Sequence, residues 1–137
     1  MGVVLDSTLL VAAERAGQNP HQVISDVLAV IGEAEATLSV ITLIELAHGI
    51  ERANSAERRT ARERFLNELM NEISAESVTA AIAVRAGKID GNLQARGVRI
   101  ALGDLLIGAT ALELGYTVVT HNVRHFRMIP NLDVRQL

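Results

Sequence analysis

Residues 104–120 read DLLIGATALELGYTVVT, and their pattern decides the fold class. From Leu105 to Leu114 nearly every position is apolar, so a helix built on this segment has no solvated face and belongs in an interior. Asp104 opens that helix and Gly115 stops it, as a glycine just past a helix end commonly does. Tyr116 to Thr120 then form an unbroken run with Val118 and Val119 at its centre, the pattern of a strand covered on both faces of a parallel sheet. A buried helix running straight into a buried strand predicts an α/β protein.

The same alternation extends towards the N-terminus. Val3-Val4-Leu5 is a short β-branched run ending at Asp6, after which Ser7 and Thr8 can cap a helix carrying Leu9, Leu10, Ala13 and Ala16 as far as Gly17. Asn19-Pro20-His21-Gln22 combines an N-cap, a first-turn proline and a capping-box glutamine, and Ile24, Val27, Leu28 and Ile31 follow at helical spacing. Ala36 to Val40 reads as a second strand, leading into a helix striped by Leu43, Leu46, Ala47 and Ile50. A charged helix from Ser55 to about Glu72, a short strand near Ile73 and a helix carrying Ile82, Ala86, Ile89 and Leu93 complete the middle. Leu132-Asp133-Val134 is a candidate last strand. The expected architecture is a three-layer α/β/α sandwich around a mainly parallel sheet, one domain over 1–137.

Composition narrows the chemistry. With no cysteine, disulfide scaffolds, thiolate zinc sites and cysteine nucleophiles are excluded. Thirteen basic against sixteen acidic side chains leave a net charge of −3, which disfavours a basic nucleic-acid coat protein. The aromatics are only Phe65, Phe126 and Tyr116, too few to stack unpaired bases, so any nucleic-acid contact must work through phosphates. The first residues lack the charged start of a signal peptide, and no apolar run is long enough for a membrane span, so the expectation is a cytoplasmic protein with no membrane partner.

Ligands of an open parallel sheet bind along the carboxyl edge of its strands. Asp6 ends the first strand, Glu45 lies in the first turn of the helix after the second, and Asp104 begins the buried helix. Each has a plainer reading: Asp6 as a helix cap, Thr42 to Glu45 as a capping box, Asp104 as an acid at a helix N-terminus. Together, however, acids converging on one edge raise one another's pKa unless a cation lies between them. Hard divalent ions, Mg²⁺ or Mn²⁺, suit such oxygen ligands.

The stretch after the last confident strand, Thr120-His121-Asn122-Val123-Arg124-His125-Phe126, falls on the same edge. Thr120 and Asn122 offer neutral oxygens there, and Arg124 and Arg127 offer phosphate contacts, against the plainer reading of a solvated polar loop. Arg52, Arg58, Arg59, Arg62 and Arg64 could track an RNA backbone, but Glu63 and Glu68 stand four residues after Arg59 and Arg64, which favours a solvated helix face. His48 reads as a pocket wall or a half-buried core histidine. No Gly-rich phosphate loop is present. A haloacid-dehalogenase-type phosphatase is imitated by Asp6 and by Thr117 to Thr120, but Thr8 replaces its second aspartate and the only lysine, Lys88, lies mid-helix.

Val3-Val4-Leu5-Asp6-Ser7, then Ser39-Val-Ile-Thr42-Leu-Ile-Glu45-Leu, then Asp104-Leu-Leu-Ile-Gly-Ala-Thr-Ala-Leu, then Thr120-His-Asn122-Val-Arg-His125-Phe126, taken in that order over essentially the whole chain, resemble a PIN-domain ribonuclease, most nearly the VapC toxins of bacterial toxin–antitoxin pairs. The resemblance implies a Mg²⁺- or Mn²⁺-dependent endoribonuclease in which Asp6, Glu45 and Asp104 are the acidic metal ligands and catalytic residues. It matches Ser7 to the small hydroxyl residue after the first aspartate, and it puts Asn122 where many members carry a fourth acid. It further implies a homodimer, an RNA substrate and a VapB-type antitoxin whose tail blocks the site. The competing expectation is a PIN-like module that binds RNA or a protein partner without cutting.

Overall fold

The structure, a computed structural model, describes residues 1–137. Strand β1, Gly2–Leu5, is buried throughout. Its side chains alternate between faces: Val3 and Leu5 join one apolar cluster, Val4 the other. A strand so covered needs helices above and below it, and the rest of the chain supplies them.

Helices α1 (Ser7–Arg15) and α2 (Pro20–Ile31) follow, then β2 (Glu35–Ser39), α3 (Val40–Glu51) and α4 (Ala56–Glu72). The second half contains β3 (Ala75–Glu76), α5 (Ala80–Ala95), α6 (Leu102–Leu114), β4 (Thr117–Thr120), α7 (Val123–Phe126) and β5 (Val134–Gln136). The strands lie in the order β3-β2-β1-β4-β5, and every pairing is parallel. One face is covered by Leu9 and Leu10 of α1, Val23 and Val27 of α2, and Phe65 and Leu69 of α4. The other is covered by Ile82 and Leu93 of α5, Ile107 and Ala109 of α6, and Phe126 of α7. Helix α3 serves both: Leu43 and Leu46 pack on the first cluster, Ile41 on the second. The expected α/β/α layering is present.

The capping box of α2 forms as its sequence requires, with the Asn19 side chain accepting from the Gln22 N–H and the Gln22 side chain from the Asn19 N–H. Gly115 closes α6 at φ +70°, the left-handed conformation a glycine adopts freely. Several boundaries depart from expectation. The third strand forms at Ala75–Glu76 because Ile73, the C-cap of α4, turns into the core. Helix α6 starts at Leu102, so Asp104 lies inside its first turn. The stretch after β4 contains the extra helix α7, held by Phe126 in the core. No helix is long and apolar enough to cross a membrane.

Candidate metal centre

The chain lays β1, β2 and β3 outward in one direction, then returns to place β4 and β5 on the other side of β1. The sheet's topological switch point therefore lies between β1 and β4, where the connections leaving the two strands diverge and open a crevice. Asp6 immediately follows β1, and Thr120 ends β4. Asp6 is only 2% exposed. It occupies the N-cap position of α1, but its side chain makes no capping bond. Its Oδ2 instead accepts hydrogen bonds from Thr8 Oγ1 and Thr120 Oγ1, each at 2.7 Å.

Glu45 loses its plainer reading as well. The N-cap of α3 is Ser39, whose hydroxyl accepts from the Ile41 N–H at 3.1 Å, so Glu45 lies in the second turn and no capping box joins it to Thr42. Thr42 is fully buried, and its hydroxyl has no hydrogen-bond partner. Glu45 turns instead towards the start of α6, where a Cβ on Gly103 would lie 3.8 Å from its Oε2. The carboxyl of Glu45 thus lies beside the backbone of the residue before Asp104.

Asp104 accepts from His125 Nδ1 at 3.1 Å through Oδ2. A carboxylate can only accept, so the imidazole proton belongs on Nδ1. Although Glu45 is the most open of the three acids, loss of solvation raises its pKa, and the charges of Asp6 and Asp104 raise it further against a hydrogen bond from Ser7. Asp104 is also raised, chiefly by burial, with His125 opposing and Asp6 reinforcing the shift. The three carboxylates feel one another's charge but do not close into a ready ligand cluster. Three oxygen acids without sulfur, under mutual repulsion at a switch point, are a donor set that fits a hard divalent cation.

Among the supporting residues, Ser7 is buried beside Asp6, and Thr120 is fully buried on it. Asn122 contributes its backbone N–H, which donates to Thr120 Oγ1 at 2.9 Å; its side chain is exposed and makes no hydrogen bond. Arg124 and Arg127 are exposed on and after α7, and no carboxylate pairs with either. The arginines of α4 are largely engaged elsewhere: Arg59 with Glu51 and Glu63, Arg58 and Arg62 with Glu14. His48 is exposed and forms no wall. Sequence reasoning misses two residues. Thr8 reads there as a cap and as the residue in place of a phosphatase's second aspartate, and His125 only as part of a polar loop, although a hydroxyl two residues after Asp6 can reach back to it. The histidine has no comparable signal without α7.

Residues 3–131 match the family described as PIN domain. Ribonuclease VapC of Rickettsia bellii is 29% identical over 134 residues, covering 98% of this chain and 95% of that protein. The tRNA(fMet)-specific endonuclease VapC of Salmonella typhimurium is 35% identical over 97 residues, 71% of each. Among solved structures, VapBC2 from Rickettsia felis bound to a DNA fragment from their promoter superposes with a TM-score of 0.85 at 23% identity, covering 100% of this chain and 99% of that one. That level of identity speaks to the fold alone, while the family match and the Salmonella relative speak to descent. The chain belongs to the PIN-domain family, among the VapC-type ribonucleases.

Proposed function

We propose that this ribonuclease is a Mg²⁺- or Mn²⁺-dependent endonuclease acting in the cytoplasm as the toxin of a toxin–antitoxin pair, with Asp6, Glu45 and Asp104 holding the ion. One observation carries the reading: at the switch point, acids from the end of β1, from α3 and from α6 cap no helix through their side chains, and the pKa values of Glu45 and Asp104 are raised by burial and by neighbouring carboxylate charge. A divalent ion held there supplies Lewis acidity, lowering the pKa of a water and offsetting charge on a phosphate. Asp6 and Asp104 would be its principal ligands, and Glu45 would assist them or orient a water by accepting its hydrogen bond. Ser7 and Asn122 position water or phosphate, Thr120, fully buried, holds the Asp6 carboxylate in place, and Arg124 and Arg127 contact the RNA backbone.

A cleft of about 160 Å³ between α1, α3 and α4 reaches Glu45, with Val11, Leu46 and Phe65 in its wall. It supports a protein partner whose segment covers the site, the VapB-type antitoxin, and the proposed assembly is a homodimer of this chain bound to it. The test is cleavage of cellular RNA after induction, with cut ends sequenced. Asp6→Asn and Asp104→Asn should each reduce Mg²⁺-dependent cleavage on the order of a thousandfold, several kcal/mol of lost charge stabilisation, while the fold is retained. An Asp104→Asn protein that cuts at the wild-type rate overturns the metal centre. Retention of RNA without cleavage by the wild type, with or without EDTA, establishes the non-cutting module instead; Asn122 in place of a fourth acid is the feature that favours it.

A further inference from the structure

Asp6 and Asp104 share a feature that the proposed mechanism does not use. In each, Oδ2 is engaged by side-chain donors and Oδ1 makes no hydrogen bond within the chain. On Asp6 the donors are Thr8 and Thr120, each at 2.7 Å. Each hydroxyl also accepts a backbone N–H, Thr8 Oγ1 from His121 at 3.3 Å and Thr120 Oγ1 from Asn122 at 2.9 Å. Of the acceptors within reach of their protons, Asp6 Oδ2 at 2.7 Å is nearer than the other hydroxyl at 3.1 Å or the Asn122 carbonyl at 3.4 Å, and it is the charged one. On Asp104 the donor is His125 Nδ1 at 3.1 Å. An imidazole carries a proton on Nδ1 as a cation and in one neutral tautomer, so this bond does not depend on the charge of the ring.

We propose that Thr8 and His125 are positioning residues that make Asp6 and Asp104 one-oxygen donors, and that this selects a small octahedral ion over Ca²⁺. The proposal rests on the metal centre described above. Ca²⁺ accepts more oxygens than Mg²⁺ at longer distances and commonly takes a carboxylate through both oxygens, whereas Mg²⁺ demands near-octahedral geometry and uses one or two carboxylates with water. A carboxylate whose second oxygen already accepts directed hydrogen bonds can chelate only by breaking them. The free Oδ1 atoms then offer one donor each, which suits six-fold coordination completed by Glu45 and water. Thr8 is exposed and His125 half-buried, so neither position is explained by packing into the core.

The experiment is calorimetric titration of the full chain, without RNA, by Mn²⁺ and by Ca²⁺, with unfolding curves as the control for folding. The wild type should bind Mn²⁺ well ahead of Ca²⁺. Thr8→Val and His125→Ala should each weaken Mn²⁺ binding about ten- to a hundredfold, the usual effect of removing a group that orients a ligand, and should narrow the preference over Ca²⁺. Thr8→Ser keeps the hydroxyl, and His125→Asn keeps an N–H close to Nδ1, so both should recover most of the affinity and the preference. Unchanged Mn²⁺ affinity and preference in Thr8→Val and His125→Ala overturn the positioning role while leaving the metal centre standing. A wild type that binds no Mn²⁺ overturns both.

Discussion

The Thr120 hydroxyl donates to Asp6 Oδ2 at 2.7 Å, joining two residues 114 positions apart in the chain. It ties the carboxyl ends of the adjacent strands β1 and β4 at the point where the sheet's connections diverge. Thr120 is fully buried, and its oxygen also accepts the Asn122 N–H. Thr120→Val keeps the shape but removes a hydrogen bond to a charged group and strands that N–H. It should lower the unfolding free energy by about 2 kcal/mol, read from urea titration, whereas Thr120→Ser should recover most of it. A Thr120→Val protein as stable as the wild type would show that this bond contributes nothing net.

A different dependence follows from Glu45 and Asp104, whose pKa values are raised by burial and by neighbouring charge. Between the unfolded value and the raised folded value, the native state holds more protons than the unfolded chain, so stability falls as pH rises through that window. Below the ordinary carboxylate range both states are protonated and the penalty is absent; above the folded value it is complete. In EDTA, Glu45→Gln should therefore melt above the wild type at about pH 7, and the two should converge towards about pH 4. Saturating Mn²⁺ should reverse the order at neutral pH, because an ion that binds only the native state stabilises it by mass action and the variant binds it less well. Melting curves across pH with and without Mn²⁺ check both signs.

How much of this is legible in the sequence depends on the distance over which each residue's surroundings are decided. The α2 capping box and the buried α6–β4 unit are local in sequence, and both form, the second with its helix starting two residues before Asp104 and its strand one residue after Tyr116. The carboxylates are legible as positions, since acids at strand ends and helix starts share an edge in any parallel α/β sheet. Their freedom from capping is not. Whether Ser39 or Thr42 starts α3 depends on where β2 stops pairing with β3, a pairing between distant segments. His125 is illegible for a similar reason: it approaches Asp104 only because Phe126 is drawn into the core and winds α7. A short helix fixed by one buried side chain leaves no periodicity to read.

Asn122 offers a test in the direction of gain. Its side chain is exposed and unbonded, so a carboxylate there should cost the fold little. Its backbone N–H already bonds to the hydroxyl that holds Asp6, which puts the residue at the rim of the acidic site. Asn122→Asp should tighten Mn²⁺ binding roughly tenfold, about 1.4 kcal/mol, in a calorimetric titration. An unchanged dissociation constant would mean that the side chain lies outside the reach of the ion.

Arg124 and Arg127 separate RNA binding from metal chemistry. Both are exposed and free of carboxylate partners, whereas Arg59, equally basic, is held by Glu51 at 2.7 Å and by Glu63 at 3.3 Å. A free guanidinium on or just after α7, the helix whose His125 reaches Asp104, can pair with phosphate at little cost, while Arg59 would first have to leave its acids. The double variant Arg124→Ala, Arg127→Ala should therefore raise KM and reduce the salt dependence of RNA binding by roughly 0.7 in slope for each single-strand phosphate left without its arginine. Its turnover at saturating RNA and its Mn²⁺ affinity should stay close to wild type, and stability should change by less than about 0.5 kcal/mol. Arg59→Ala should leave KM and the salt slope alone. If the Arg59 variant weakens RNA binding and the double variant does not, the RNA runs along α4 and the proposed path past α7 is wrong.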